Sequence, residues 1–280
     1  MKHIDQYLQS KAIHNPETAR SYRPHVARFG KDPAELTYAD YLSFISFYRM
    51  RGYADKTVSY ASTIFRDFCT FWGRDDIAKR IKAIRATANS WQPLNPDEFK
   101  KIDDALDDRS FTSRQIKLIH RFLWDCGLRV RELKNLSLFD FDPEHQFTEI
   151  ITAKSKKRRI IAWSTDTHRL LLNHIADRQT IDCNDDPLFV TLRKKTFMTA
   201  TKAYPITVKT IQRWLAMIGK ELGIHLHPHR YRHGWAVKRI QHGAPLPFIQ
   251  EGLGHTNPSA TFVYTRYDRK QFLDQAQKHL

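Results

Sequence analysis

At 280 residues the chain is long enough for two domains of ordinary size and needs no disulfide framework to hold its cores. Its 46 Lys and Arg against 30 Asp and Glu leave a formal charge of +16, which points to a polyanionic partner, most simply nucleic acid. Cys69, Cys126 and Cys183 are scattered and show no metal-ligand spacing, the opening Met1-Lys2-His3-Ile4-Asp5-Gln6 lacks the apolar core of a signal peptide, and no run of about 18 apolar residues exists to span a membrane. These features predict a cytoplasmic, nucleoid-associated protein with reduced thiols and no membrane role.

Residues 1–85 read as helices only. Ile4 to Ala12 forms a short amphipathic segment. Asn15-Pro16 supplies an N-cap and a first helical position for a second helix, Thr37-Tyr38-Ala39-Asp40 opens a third that Gly52 ends, and Ala54 or Asp55 opens a fourth. In that fourth helix Val58, Ala61, Ile64, Phe65, Phe68 and Phe71 recur at helical spacing, so the stripe reads as core and not as a base-stacking platform. Residues 86–94 are small and polar with little periodicity and read as a linker. Residues 95–280 read as a second, mixed domain. It has helices over about 96–136 and a hairpin with strands near Phe147–Ala153 and Arg159–Trp163. Helices then return from about Thr167, clearest over Ile206–Leu222 and His233–His242. The expected class is mainly α with a small β-hairpin or sheet.

Four stretches carry candidate chemistry. In Gly127-Leu128-Arg129-Val130-Arg131-Glu132-Leu133, Arg129 and Glu132 share a helix face, so the carboxylate either fixes the guanidinium for an anion or forms an ordinary surface ion pair. Lys154 ends a strand rich in β-formers, and the turn that follows brings five cations into six residues, Lys154, Lys156, Lys157, Arg158 and Arg159. Such a tip suits a nucleic-acid backbone, and a lysine held at the strand end is placed to give a proton to a leaving alkoxide. His225, His227, His229 and His233 lie close in sequence, but the residue after His229 is Arg230 and not the Glu of a zinc-protease motif, so no metal site is expected. His229 and Arg232 lie one helical turn apart at a helix N-terminus, where both can address one anion. Last, Leu253-Gly254-His255 is followed nine residues on by Tyr264, on a short helix that Asn257-Pro258 would begin; Tyr267 stands close by.

In this order and at these separations, Arg129, Lys154, His229, Arg232, His255 and Tyr264 resemble the active-site set of the tyrosine recombinases, also called phage integrases. The local words Gly-Leu-Arg-x-x-Glu-Leu and Leu-Gly-His are specific. Arg230 and Tyr231 depart from the acidic or small residue plus Leu that the family often carries between His229 and Arg232, and Ala153 replaces a common Gly. The layout is similar to the two-domain Xer type, with no room for an additional N-terminal arm-binding domain.

The resemblance implies an all-helical core-binding domain and a catalytic domain that both contact duplex DNA with an inverted-repeat core site. It implies that Arg129 and Arg232 bind the scissile phosphate with help from His255, and that Glu132 supports Arg129. Tyr264 attacks to give a 3′-phosphotyrosine and Lys154 protonates the departing 5′-oxygen. His229 serves Tyr264 as general base or orients it. Lys156, Lys157, Arg158, Arg159 and Arg230 are expected on the DNA. No cofactor and no metal are implied. Four protomers act on DNA through a Holliday junction, and Gln271–Leu280 either docks on a neighbouring protomer or packs at home. Two rivals stand beside this reading: a type IB topoisomerase-like nicking-closing enzyme, and a catalytically silent DNA-binding relative.

Overall fold

A computed structural model describes residues 2–85, 92–152, 157–194 and 201–265, with side chains at all of these except 193, 194, 201 and 265. The chain divides into two compact units, Met1–Ser90 and Trp91–Leu280.

The first unit is helical among its described residues. Helices α1 (Lys2–His14), α2 (Pro16–Val26), α3 (Tyr38–Met50), α4 (Asp55–Phe71) and α5 (Asp75–Ala78) follow one another through short turns, except that a longer link with a 3-10 turn at Pro33–Glu35 joins α2 to α3. Their starts are chemical. Asn15 caps α2 with Pro16 at the first position, and Thr37 and Asp40 form a reciprocal capping box on α3. The α4 stripe faces inward: Val58, Ala61, Ile64, Phe65, Phe68 and Cys69 are buried, and Phe29 packs edge-on against Phe44 and Phe65. Phe71 departs from the expected stripe and stays 39% exposed at the end of the helix.

The second unit begins with α6 (Pro96–Ala105), capped by Asn95 and Glu98, and the long α7 (Phe111–Cys126). The chain continues through α8 (Val130–Lys134), an antiparallel hairpin of β1 (Phe147–Ile151) and β2 (Arg158–Ala162), and α9 (Thr165–Gln179). A second hairpin follows, β3 (Val190–Lys194) and β4 (Thr201–Pro205), where sequence periodicity predicts only helices. The chain then runs through α10 (Val208–Leu222), α11 (Pro228–Gln241), α12 (Leu246–Leu253), α13 (Ser259–Phe262) and a single 3-10 turn, Val263–Thr265. The core gathers around α7: Leu118, Ile119, Phe122 and Leu123 are buried in one cluster with Leu170, Phe189, Ile211 and Leu215. A smaller cluster joins Trp235, Ala236, Ile249, Leu253 and Tyr264, and so fixes the C-terminal elements on α11.

The unit is mainly α with two two-stranded antiparallel sheets. Among the described residues no helix is long and apolar enough to cross a membrane.

Candidate active site

The site forms where α7 ends, because Gly127 permits an abrupt turn. Gly127 adopts φ +57°, and a Cβ there would lie 2.8 Å from the Trp235 ring. The chain therefore reverses at once, and Arg129 becomes the N-cap of α8 instead of a residue within it. Its amide donates to Glu132 Oε2 at 2.9 Å, its Nη1 donates to Glu132 Oε1 at 2.9 Å, and its Nη2 reaches the Gly254 carbonyl at 3.3 Å. This is a buried scaffold and not a surface ion pair, since Glu132 is 3% exposed.

A second arginine holds the same carboxylate. Arg159 Nη2 donates to Glu132 Oε2 at 2.8 Å, and its Nη1 donates to the Gly252 carbonyl. Burial alone would raise the Glu132 carboxyl; the charge of Arg159 and the Arg129 amide more than offset it and hold the group below its ordinary value. Arg232 arrives from α11, buried, with Nη1 on the Gly127 carbonyl at 2.8 Å and Nη2 on the Leu253 carbonyl. Burial, then the neighbouring Arg129 charge, push Arg232 down to about 9, so it remains a cation at neutral pH. Among the described residues three guanidinium groups thus gather around the one Glu132 carboxylate, and the excess positive charge is suited to an anion.

Gly254, at φ +58°, ends α12 and lets His255 turn back to the cluster. The His255 ring stacks parallel to Tyr264 with centroids 6.5 Å apart, and its Nδ1 pairs with Thr261 Oγ1 at 2.9 Å. Burial, then Arg232, Arg129 and Arg159, push His255 down to about 4, so it is neutral at pH 7. Tyr264 is 8% exposed and sits in the 3-10 turn just beyond α13, whose start is helped by Asn257 Oδ1 accepting from the Ser259 amide at 2.9 Å. Its phenol oxygen lies 2.8 Å from His233 Nδ1. Burial raises the phenol above its ordinary value, while Arg232 and Arg129 pull it down.

Arg129, Glu132, Arg232, His255 and Tyr264 are therefore brought together. His229 opens α11, its ring tilted against His233 with centroids 6.3 Å apart. Lys154 and Lys156 lie outside the described residues, as do Tyr267 and Gln271–Leu280. Lys157 and Arg158 are exposed beside Thr152, His255 and Gly254, around a cleft of about 400 Å³.

Two of the residues expected on DNA need correction. Arg159 is buried, and its guanidinium is spent on Glu132 and Gly252. Arg230 is held in a structural pocket of backbone carbonyls and one carboxylate. It donates to the carbonyls of Gln92, His225 and Pro93, and its Nη2 holds Glu98 at 2.7 Å. Its neighbour Tyr231 is buried and bonds His120 Nδ1 at 2.7 Å, so both departures from the family's usual wording serve packing. Among the described residues no group of three or more His, Cys, Asp or Glu side chains is arranged to hold a metal ion. The residues missed from sequence are Arg159 as a partner of Glu132 and His233 as a partner of Tyr264; only the four-residue step from His229 to His233 hinted at the second.

Residues 92–271 match the phage integrase family. The chain belongs to that family, the tyrosine site-specific recombinases. It is 28% identical to tyrosine recombinase XerA of Pyrococcus horikoshii over 261 residues, 93% of this chain and 87% of that protein. It is 24% identical to tyrosine recombinase XerC of Shewanella amazonensis over 278 residues, 96% of this chain and 91% of that one. The fold is also that of the Tn1549 transposon integrase solved in complex with a circular intermediate DNA, at a TM-score of 0.77 over 100% of this chain and 98% of that chain, with 14% identity.

Proposed function

We propose that this chain cuts and rejoins double-stranded DNA at specific sites through a 3′-phosphotyrosine at Tyr264. The observation that carries the reading is the Tyr264 phenol held in a pocket where Arg232 and Arg129 act on it electrostatically. Arg129 and Arg232 bind the non-bridging oxygens of the scissile phosphate, and Glu132, braced by Arg159, sets their aim. His255, neutral, adds a hydrogen bond. Most of the rate enhancement comes from stabilising the charge of the crowded phosphorane. Lys154 protonates the 5′-oxygen as it leaves, and Lys156, Lys157 and Arg158 hold the backbone nearby. The phosphotyrosine keeps the energy of the broken ester bond, so rejoining to a second strand's 5′-hydroxyl needs no nucleotide and no metal.

The charge of +16 and the DNA present in the Tn1549 complex both support duplex DNA as partner. Residues 1–85 serve as a helical core-binding domain and residues 95–280 as the catalytic domain. Four protomers on an inverted-repeat core site pass through a Holliday junction, working on the nucleoid.

The test uses duplexes of randomised sequence, each nicked close to its centre. Covalently captured duplexes are sequenced to find the site, and two copies of that site are placed on one supercoiled plasmid. Deletion or inversion between the copies is expected. Relaxation of supercoils with neither product would assign the nicking-closing activity instead, and no capture at all would leave a DNA-binding relative.

A further inference from the structure

A phenol raised above its ordinary value by burial attacks poorly until its proton has somewhere to go. The hydrogen bond at 2.8 Å between Tyr264 and His233 supplies a destination. We infer that His233 takes the phenol proton as Tyr264 attacks, which makes it a catalytic residue beyond the Arg, Lys, His and Tyr set already placed; the inference rests on Tyr264 being the nucleophile.

The geometry is built from both sides. His233 stands one turn after His229 on α11, and the Val263–Thr265 turn packs against that helix so that the two rings meet at 5.4 Å between centroids. His255 stacks parallel to the Tyr264 ring with its Nδ1 on Thr261, and the phenol oxygen lies at His233 Nδ1. The titratable and charged groups around His233 are His229 and Arg232 on its own helix and His227 at that helix's N-cap, with Tyr264 and His255 from the C-terminal elements. Burial, then His229, Arg232 and His227, hold it down to about 4. At neutral pH it is therefore uncharged, and the proton transfer uses the tautomer in which Nδ1 accepts from the phenol.

In the step itself, the Tyr264 oxygen forms its bond to phosphorus while its proton passes to His233 Nδ1. The phosphorus–5′-oxygen bond breaks, and that oxygen takes a proton from the hairpin ammonium. Rejoining reverses each transfer, with the imidazolium returning its proton to the departing phenolate. Under the Arg232 field the imidazole is too weak a base to ionise the phenol, so Tyr264 does not idle as a phenolate. A bound phosphate, and still more the phosphorane, offsets the Arg232 field and raises the imidazole's basicity when the proton must move.

The test uses the full chain and the nicked duplex recovered by capture, under single-turnover conditions. His233→Ala is expected to slow adduct formation by about 100-fold or more at unchanged DNA affinity. Replacing Tyr264 with the more acidic 3,5-difluorotyrosine should restore about tenfold or more of that loss while barely changing the wild-type rate. His233→Asn keeps a hydrogen-bond acceptor near the Nδ1 position but cannot carry the proton, and should remain slow. A rate within about threefold of wild type in His233→Ala, full activity in His233→Asn, or no rescue by fluorination would each overturn the inference. Adducts that persist in Tyr264→Phe would overturn the nucleophile assignment beneath it. Nitrogen-15 NMR gives a check that does not depend on the folding of any His233 variant. At pH 7 the His233 Nδ1 signal should be that of an unprotonated acceptor and should shift in Tyr264→Phe; a protonated Nδ1 would contradict the proposal.

Discussion

Arg159 donates to Glu132 across 2.8 Å, and the two side chains are 2% and 0% exposed. The pair joins β2 to the start of α8, and through Glu132 it fixes Arg129. Removing the carboxylate strands the Arg159 charge in the interior, a loss of about 3–5 kcal/mol for breaking a buried pair. Glu132→Ala is therefore expected to lower the chemical-denaturation midpoint sharply. Glu132→Gln should cost less stability but should still slow adduct formation, because Arg129 loses its charged brace.

Gly254 offers a test of how closely the arginines are set. A Cβ there would lie 2.8 Å from Thr152 Cγ2, 3.3 Å from Arg159 Cδ and 3.6 Å from Arg129 Nη1. Gly243 also has a positive φ, +78°, and nothing within 4 Å. Gly243→Ala should cost only backbone strain, about 1 kcal/mol. Gly254→Ala should show that strain and, in addition, a fall in adduct formation as the two guanidinium groups are displaced. Equal activity in the two variants would show that the crowding does not reach the site.

Arg230 and Arg158 should behave oppositely. Arg230→Ala leaves Glu98 and three carbonyls without their donor and should cost about 2–3 kcal/mol of stability. Its effect on the salt dependence of DNA binding should be small. Arg158 is exposed and pairs with Glu149 at 2.8 Å. Arg158→Ala should leave stability unchanged and reduce the log–log salt slope by about 1. A reduced slope in Arg230→Ala would place that side chain on the DNA after all.

Acid should loosen the catalytic unit before its carboxylates titrate fully. Burial pushes His120 down to about 3 and His174 down to about 4, from an ordinary value of 6.5. The unfolded chain therefore binds protons that the folded chain refuses as pH falls from about 6.5 to about 4. The stability that these neutral rings contribute is present above 6.5 and is lost on descending through that window. The guanidinium chloride midpoint of the full chain should fall between pH 7 and pH 5, as the catalytic unit loses up to about 1.4 kcal/mol of stability per pH unit for each ring. A flat midpoint over that range would mean that the two rings are hydrated or already charged.

What was legible in the sequence was local. The Asn15, Thr37 and Asn95 caps, the α4 stripe and the Gly127 and Gly254 helix ends depend on residues within a few turns of each other. The grouping of Arg129, Arg232, His255 and Tyr264 was legible only through resemblance. The β3–β4 hairpin was not foreseen, because Thr191-Leu192-Arg193-Lys194 and Thr201-Lys202-Ala203-Tyr204 lack clean alternation. Whether a cation is buried depends on a partner far along the chain: Glu132 lies 27 residues from Arg159, and Glu98 lies 132 from Arg230. Tyr264 is 31 residues from His233, so beyond the four-residue step from His229 to His233 nothing local marks that contact either.

The central claim is that Tyr264 is the residue that becomes joined to DNA. The direct measurement is mass spectrometry of protease-digested adducts formed by the full chain on nicked duplexes, whose short released strand diffuses away and traps the intermediate. The predicted result is a nucleotide 3′-phosphate on the peptide that carries Tyr264, and no adduct from Tyr264→Phe. A nucleotide on Tyr267 or on any other residue, or none from the wild-type chain, would contradict it.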